Sequence, residues 1–421
     1  MKTVKTPAAL LFILIFSLAS GCNRLLAPSG PSNLSSASLT VPQADNALSC
    51  NLYNFYNTQS GNIFFSPFSI ITALAMTQEG AMGQTASQMQ QVLGLSSDAA
   101  TRQQAFQTLI GEINAPGKSY TLDTSDDLWP QVNFPVLASF ENVLETDYFA
   151  GVTAVDYINN ASGALQTING AVSQQTEGYI PSLLSNNDIT PATRLILTNA
   201  VYFKADWANE FDPHYTTTQN FTLPSSATVP VSMMNQPSLL ANIGSYNGAA
   251  SVVALPYKNN EASMYIFLPP PGGMAALESE MSPSNLNTWL AANSAAMTVA
   301  SFSSVNLSLP RFTFNSSYDL AQTLAQMGMP LAFSKAADFS GIDGQKDLYI
   351  YKVVHKAYID VTESGTTAAA ATGVGIKVWV TISGPPPVDF TVDHPFIFMI
   401  VENVTNTVLF VGRINDPTQT Q

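Results

Sequence analysis

Apolar and polar positions change their rhythm along the chain. In the first half, apolar residues recur at helical spacing. Ile70, Ile71 and Leu74 form a stripe over Pro67–Gln78, a segment that Ser66 is suited to cap and Pro67 to open. Thr85-Ala86-Ser87-Gln88 has the spacing of a capping box and predicts a helix running toward Val92. Later the pattern favours strands. Arg194–Phe203 is a long β-favouring run, and Val252–Pro256 with Met264–Leu268 predicts a pair of strands. Lys352–Thr362 alternates, and Phe396–Val401 with Val408–Val411 predicts a last pair. Helices first and many strands afterwards indicate an α+β fold.

Two of these strands carry a polar residue on the face that should be buried. Alternation places Leu195, Leu197, Asn199, Val201 and Phe203 on one side of the first run. It places His355, Ala357, Ile359 and Val361 on one side of the other. Asn199 and His355 therefore interrupt apolar faces. Each alone reads as an ordinary satisfied core group; two on long strands also suggest a pair bridging a junction. Unpaired, each would cost about 1–3 kcal/mol.

Composition narrows the classes. The 421 residues are 46% hydrophobic and 10% charged, enough apolar character for a large core and too much for a disordered chain. The net charge of −14 argues against a nucleic-acid partner. No linker or repeat divides residues 45–417, which read as one domain, and a monomer is expected. Only His214, His355 and His394 are present, none paired at metal-ligand spacing, and no G-x-S-x-G elbow occurs. Neither an enzyme nor a metal or other cofactor is expected.

The N-terminus reads as an export signal. Lys2 and Lys5 precede the apolar run Ala8–Leu18, which falls short of the roughly 20 residues a spanning helix needs. Residues 1–21 are read as the signal peptide. Leu18-Ala19-Ser20-Gly21-Cys22 resembles the lipobox of bacterial lipoproteins, with Ala19 in place of the commoner leucine. That resemblance implies lipidation of Cys22 and an exported protein anchored through its lipid at the bacterial cell envelope. Asn23 in place of aspartate points to the outer membrane; an ordinary secretory signal is the alternative. Residues 22–44, rich in Ser, Pro and small residues, read as a flexible tether. Cys50 is the only other cysteine and lies in an apolar, helix-like segment, which predicts a buried, inert thiol.

Longer blocks resemble serpins, the serine protease inhibitor family. Gly61-Asn62-Ile63-Phe64-Phe65-Ser66-Pro67-Phe68-Ser69, continuing through Ala73-Leu74-Ala75-Met76 and Glu79-Gly80-Ala81, is similar to their second helix region. Thr198-Asn199-Ala200-Val201-Tyr202-Phe203-Lys204 with Trp207 resembles the third strand of their large sheet. His355-Lys356-Ala357 with Ile359, Val361, Glu363 and Gly365 resembles the fifth strand and its hinge. Asp393-His394-Pro395-Phe396 and Gly412-Arg413-Ile414 with Pro417 resemble the C-terminal strands. The likeness implies N-terminal helices, a large mixed sheet and an exposed, insertable reactive-centre loop. It implies that Ser66, Ser69, Asn199 and His355 form a polar shutter beneath the sheet. Trp207 would mark the breach where the loop enters, or be a plain core aromatic. Ala205 replaces the family's usual glycine.

Composition alone leaves Glu363–Thr372 open between a short helix and an irregular connector: the alanines favour a helix, while Gly365 and the threonine pairs oppose one. The resemblance implies a hinge made of Glu363, Gly365, Thr366, Thr367, Ala368, Ala369, Ala370, Ala371 and Thr372. After cleavage the hinge would enter the sheet as a strand. Thr366, Ala368, Ala370 and Thr372 would turn inward, and Thr367, in place of the usual glutamate, would face solvent. Small uncharged residues suit such entry, since a buried charge would cost several kcal/mol. Counting the family's usual spacing from Glu363 puts the reactive bond at Trp379–Val380. An aromatic residue there favours a chymotrypsin-like serine protease as partner. A shift to Val378 or Lys377 would imply an elastase-like or trypsin-like one. The expected function is suicide inhibition through a trapped acyl-enzyme; the alternative is a non-inhibitory serpin acting as a binding or carrier module.

Overall fold

The computed structural model describes residues 39–124, 126–294, 302–367 and 386–420. Cys22, most of the tether, Ala368–Thr372 of the hinge and the Trp379–Val380 bond lie outside the described residues. Helices dominate the described residues up to 175: α1 (Val41–Tyr56), α2 (Pro67–Glu79), α3 (Gly83–Leu93), α4 (Ala99–Ile113), α5 (Ala138–Asp147) and α6 (Ala161–Gln175). α1 opens ahead of the domain boundary read from the sequence, because Thr40 and Gln43 cap it reciprocally and Pro42 lies in its first turn. α2 opens as its sequence predicts, with Ser66 Oγ accepting from Ser69 N. It is buried from Pro67 to Gln78, as suits a helix apolar on nearly every side.

α3 departs from expectation. It begins at Gly83 behind Met82, with no side-chain cap. Thr85 Oγ1 accepts instead from Asp338 N at 2.9 Å, and Gln88 Oε1 from Leu331 N at 3.0 Å. Both side chains serve a distant segment, so the capping box does not form.

Strands are numbered β1 to β16 in chain order. One large mixed sheet runs β1 (Ile63–Phe65), β16 (Thr407–Ile414), β15 (Phe396–Glu402), β9 (Ala262–Leu268), β8 (Ala250–Pro256), β7 (Thr228–Tyr246), β10 (Phe302–Pro310) and β14 (Val388–Thr391). β6 (Thr217–Thr222) also pairs with β7. The two strand pairs predicted from alternation are β8–β9 and β15–β16, both antiparallel. β16 lies between β1 and β15 and also receives α1, whose Asn46 Oδ1 accepts from Val408 N at 3.0 Å.

The second sheet has five strands, in the order β11 (Phe312–Asp319), β12 (Val354–Val361), β13 (Gly365–Thr366), β5 (Ala200–Asp206) and β2 (Tyr120–Thr124). The run Arg194–Phe203 is therefore not one strand. Its first part, β4 (Leu195–Leu197), pairs with β3 (Leu128–Pro130) outside this sheet. Thr198 and Asn199 break the ladder because their polar groups bond elsewhere: Thr198 N to Asp127 O, and the Asn199 amide to α2 and Asp126. Val201 and Phe203 enter the main core, whereas Ala200 faces a second apolar cluster built with Ile168 and Val172 of α6. The five-stranded sheet is thus covered on both faces. Each large apolar side chain buried this way contributes roughly 1.5–3 kcal/mol.

Candidate functional site

The site is the seam between β5 and β12. Low in the sheet the two strands pair directly and in parallel, Lys356 with Ala200 and Ala357 with Val201. Farther along they fork, and β13 fills the mouth: Thr366 pairs with Val361 on one side and Ala205 on the other. The chain is thus already an inner strand at Gly365 and Thr366.

The fit at the mouth depends on residue size. A Cβ at Gly365 would lie 2.1 Å from Ala205 O, so only glycine lets the backbones approach this closely. Thr366 is buried, and its Oγ1 lies 2.6 Å from the Tyr257 hydroxyl. Tyr257 in turn stacks on Trp207 with centroids 4.5 Å apart. The Trp207 indole donates to Thr362 O at 2.9 Å, and its backbone N–H to Ser364 O at 2.9 Å. Trp207 therefore stands beside the point where the chain turns back into the sheet. Glu363 accepts from Thr216 Oγ1 at 2.7 Å and lies 3.5 Å from the Arg311 guanidinium.

Thr367, expected to face solvent once the hinge has entered the sheet, is buried here, before that entry, because the chain leaves strand alternation at this residue with φ +52°. Its N–H donates to Asp360 O, but its Oγ1 has no partner among the described residues. A β-branched residue in this conformation is strained by about 1–2 kcal/mol. The hinge is held at Thr366 and strained at Thr367.

Beneath the paired part of the seam, the polar residues read from the sequence meet. Ser66 N–H donates to His355 Nε2 at 3.1 Å, which leaves Nε2 without a proton and places the ring hydrogen on Nδ1. Nδ1–H then donates to Asn199 Oδ1 at 2.7 Å. This fixes the Asn199 amide with its NH₂ toward Ser69 O (2.7 Å), Ser69 Oγ (2.5 Å) and Asp126 Oδ1 (2.8 Å). Burial pushes the His355 pKa down to about 3, keeping the imidazole neutral. Burial likewise pushes Asp126 up to about 8.

Asp126 was not found from the sequence. Beside Asp127 it reads as part of a solvated acidic pair, and no periodicity marks a residue in the connection between β2 and β3. Tyr257 was missed for a different reason: an aromatic residue at the end of an apolar run looks like core. Cys50 is buried and free, and burial raises its pKa.

A family model described as "Serpin (serine protease inhibitor)" matches residues 43–417. The chain is a serpin. The leukocyte elastase inhibitor of Bos taurus is 37% identical over 363 residues, 85% of this chain and 94% of that protein. Serpin48 of the insect Tenebrio molitor superimposes with a TM-score of 0.76 at 32% identity, over 89% of this chain and 98% of the other. Human thyroxine-binding globulin in complex with thyroxine gives 0.79 at 32% identity, over 91% and 100%. Serpins are thus protease inhibitors or binding proteins rather than catalysts. The α+β architecture expected from the sequence is the serpin fold.

Proposed function

We propose that this serpin is a suicide inhibitor of a serine protease. The protease would cleave at Trp379–Val380 and be held as an acyl-enzyme while the hinge runs on from β13 into the seam. The observation that carries this reading is Thr366, which already pairs with both β5 and β12 and is followed in sequence by Thr367 and an alanine run. As far as Thr372, continuation of β13 needs no large or charged side chain to pass between the strands. Strand entry would then release the strain of the fold.

Trp379 favours a chymotrypsin-like target. The name of the bovine relative adds an elastase-like one, which Val378 would suit. The mature domain is mixed with chymotrypsin, elastase and trypsin, and the products are separated on denaturing gels. A covalent band at the summed mass is expected with chymotrypsin. Cleavage of the loop by every protease with no such band overturns the inhibitory reading and leaves a binding or carrier serpin. We also propose lipidation at Cys22 and attachment to the outer membrane, supported by the residues before that cysteine. Labelled fatty acid should be incorporated by the parent and not by Cys22→Ala; equal labelling would overturn it.

A further inference from the structure

The connection after α6, residues 176–182, touches both strands of the seam. On the β5 side, Glu177 accepts from the Tyr202 hydroxyl at 3.3 Å and lies 3.7 Å from Lys204 Nζ. On the β12 side, Lys356 Nζ donates to Ser182 O at 2.8 Å. Between them Tyr179 stacks with Tyr202 of β5 and with Tyr358 of β12, each at a centroid distance of 4.8 Å.

The level of this stack matters. Ala200 pairs with Lys356 and Val201 with Ala357, so Tyr202 and Tyr358 are the next residues along, where direct pairing ends and the fork begins. A strand entering there would move β5 and β12 apart by one strand spacing, about 4.8 Å. Tyr179 reaches both rings now; after that displacement it can keep only one of them.

We propose that Tyr179 is a positioning residue that clasps β5 to β12 and sets how fast a further strand enters between them. The proposal rests on the insertion reading above. Opening the seam gives up one aromatic pair, a loss that corresponds to about a 2- to 10-fold difference in rate.

The test needs no protease. A synthetic peptide with the sequence of residues 366–376 is incubated with the whole domain, and its annealing into the sheet is followed by native gel shift. Tyr179→Ala is expected to anneal about 2- to 10-fold faster than the parent, and Tyr179→Phe, which keeps the stack, at the parent's rate. Tyr358→Ala should accelerate annealing similarly, and the double variant should add nothing beyond either single one. A parent-like rate for Tyr179→Ala, or multiplying effects of the two substitutions, overturns the clasp alone. Absence of annealing in every variant overturns the insertion reading and the clasp together. Faster annealing without trapping of any protease leaves the clasp standing and removes the inhibitory reading.

Discussion

The mouth of the seam and its shutter lie on the same two strands, yet they are built in opposite ways. At the shutter β5 and β12 touch, and the polar groups of Ser66, Ser69, Asn199 and His355 are matched donor to acceptor. At the mouth the strands are held apart by two hinge residues, one hydroxyl is matched and the next is buried with no partner among the described residues. A satisfied network resists separation, and a strained one does not. On the proposed insertion reading, opening is prepared at one end and opposed at the other.

The contrast is broken most severely by Thr366→Arg. A guanidinium against Tyr257 would cost several kcal/mol, expelling the hinge from the mouth. We expect loss of the covalent protease complex with cleavage retained, read on denaturing gels; undiminished trapping would contradict the account of the mouth. Asn199→Ala comes next, because it strands the His355 donor and the Ser69 and Asp126 acceptors. A destabilisation of about 3 kcal/mol or more is expected by denaturant titration.

Asp126→Asn sharpens the comparison through pH. The folded pKa of about 8 lies above the ordinary carboxylate value of about 3.9. Between these values the folded protein keeps a proton that the unfolded chain has released. Its contribution to stability is therefore complete at low pH, falls as pH rises through that window and levels off above it. His355, whose pKa is depressed to about 3 from about 6.5, acts in the other sense. Its contribution is complete above about pH 6.5 and lost as pH falls toward 3. The Tm advantage of Asp126→Asn should therefore grow from pH 5 to pH 8; a constant difference would place Asp126 outside the network. The smallest effect is expected from Thr367→Gly, which relieves the strained φ by about 1 kcal/mol. Amide exchange at Thr366 should slow, and faster exchange would mean that no strain is stored there.

Much of this was legible because it follows from short-range rules. Ser66 before Pro67 announced α2, and alternation put Asn199 and His355 on the buried face before any partner was known. The break at Thr198–Asn199 was not legible: a run of β-formers gives no sign that two of its residues are claimed by Asp126, Asp127 and α2. The capping residues of α3 were misread for the same reason, since Asp338 and Leu331 compete for their side chains from some 250 positions away. Thr367 is a different case. Strand parity predicts an outward side chain only while the strand continues, and here it stops one residue earlier.

The position of β16 has a consequence for synthesis. This strand fills the gap between β1 and β15 and engages α1, yet it comprises residues 407–414 of 421. The first helix meets this strand only once the chain has been made past Thr407. Until then the large sheet is interrupted and the core is open, so closure waits on a contact of very high sequence separation. Native closure of the large sheet is therefore a late event in a chain made from its N-terminus.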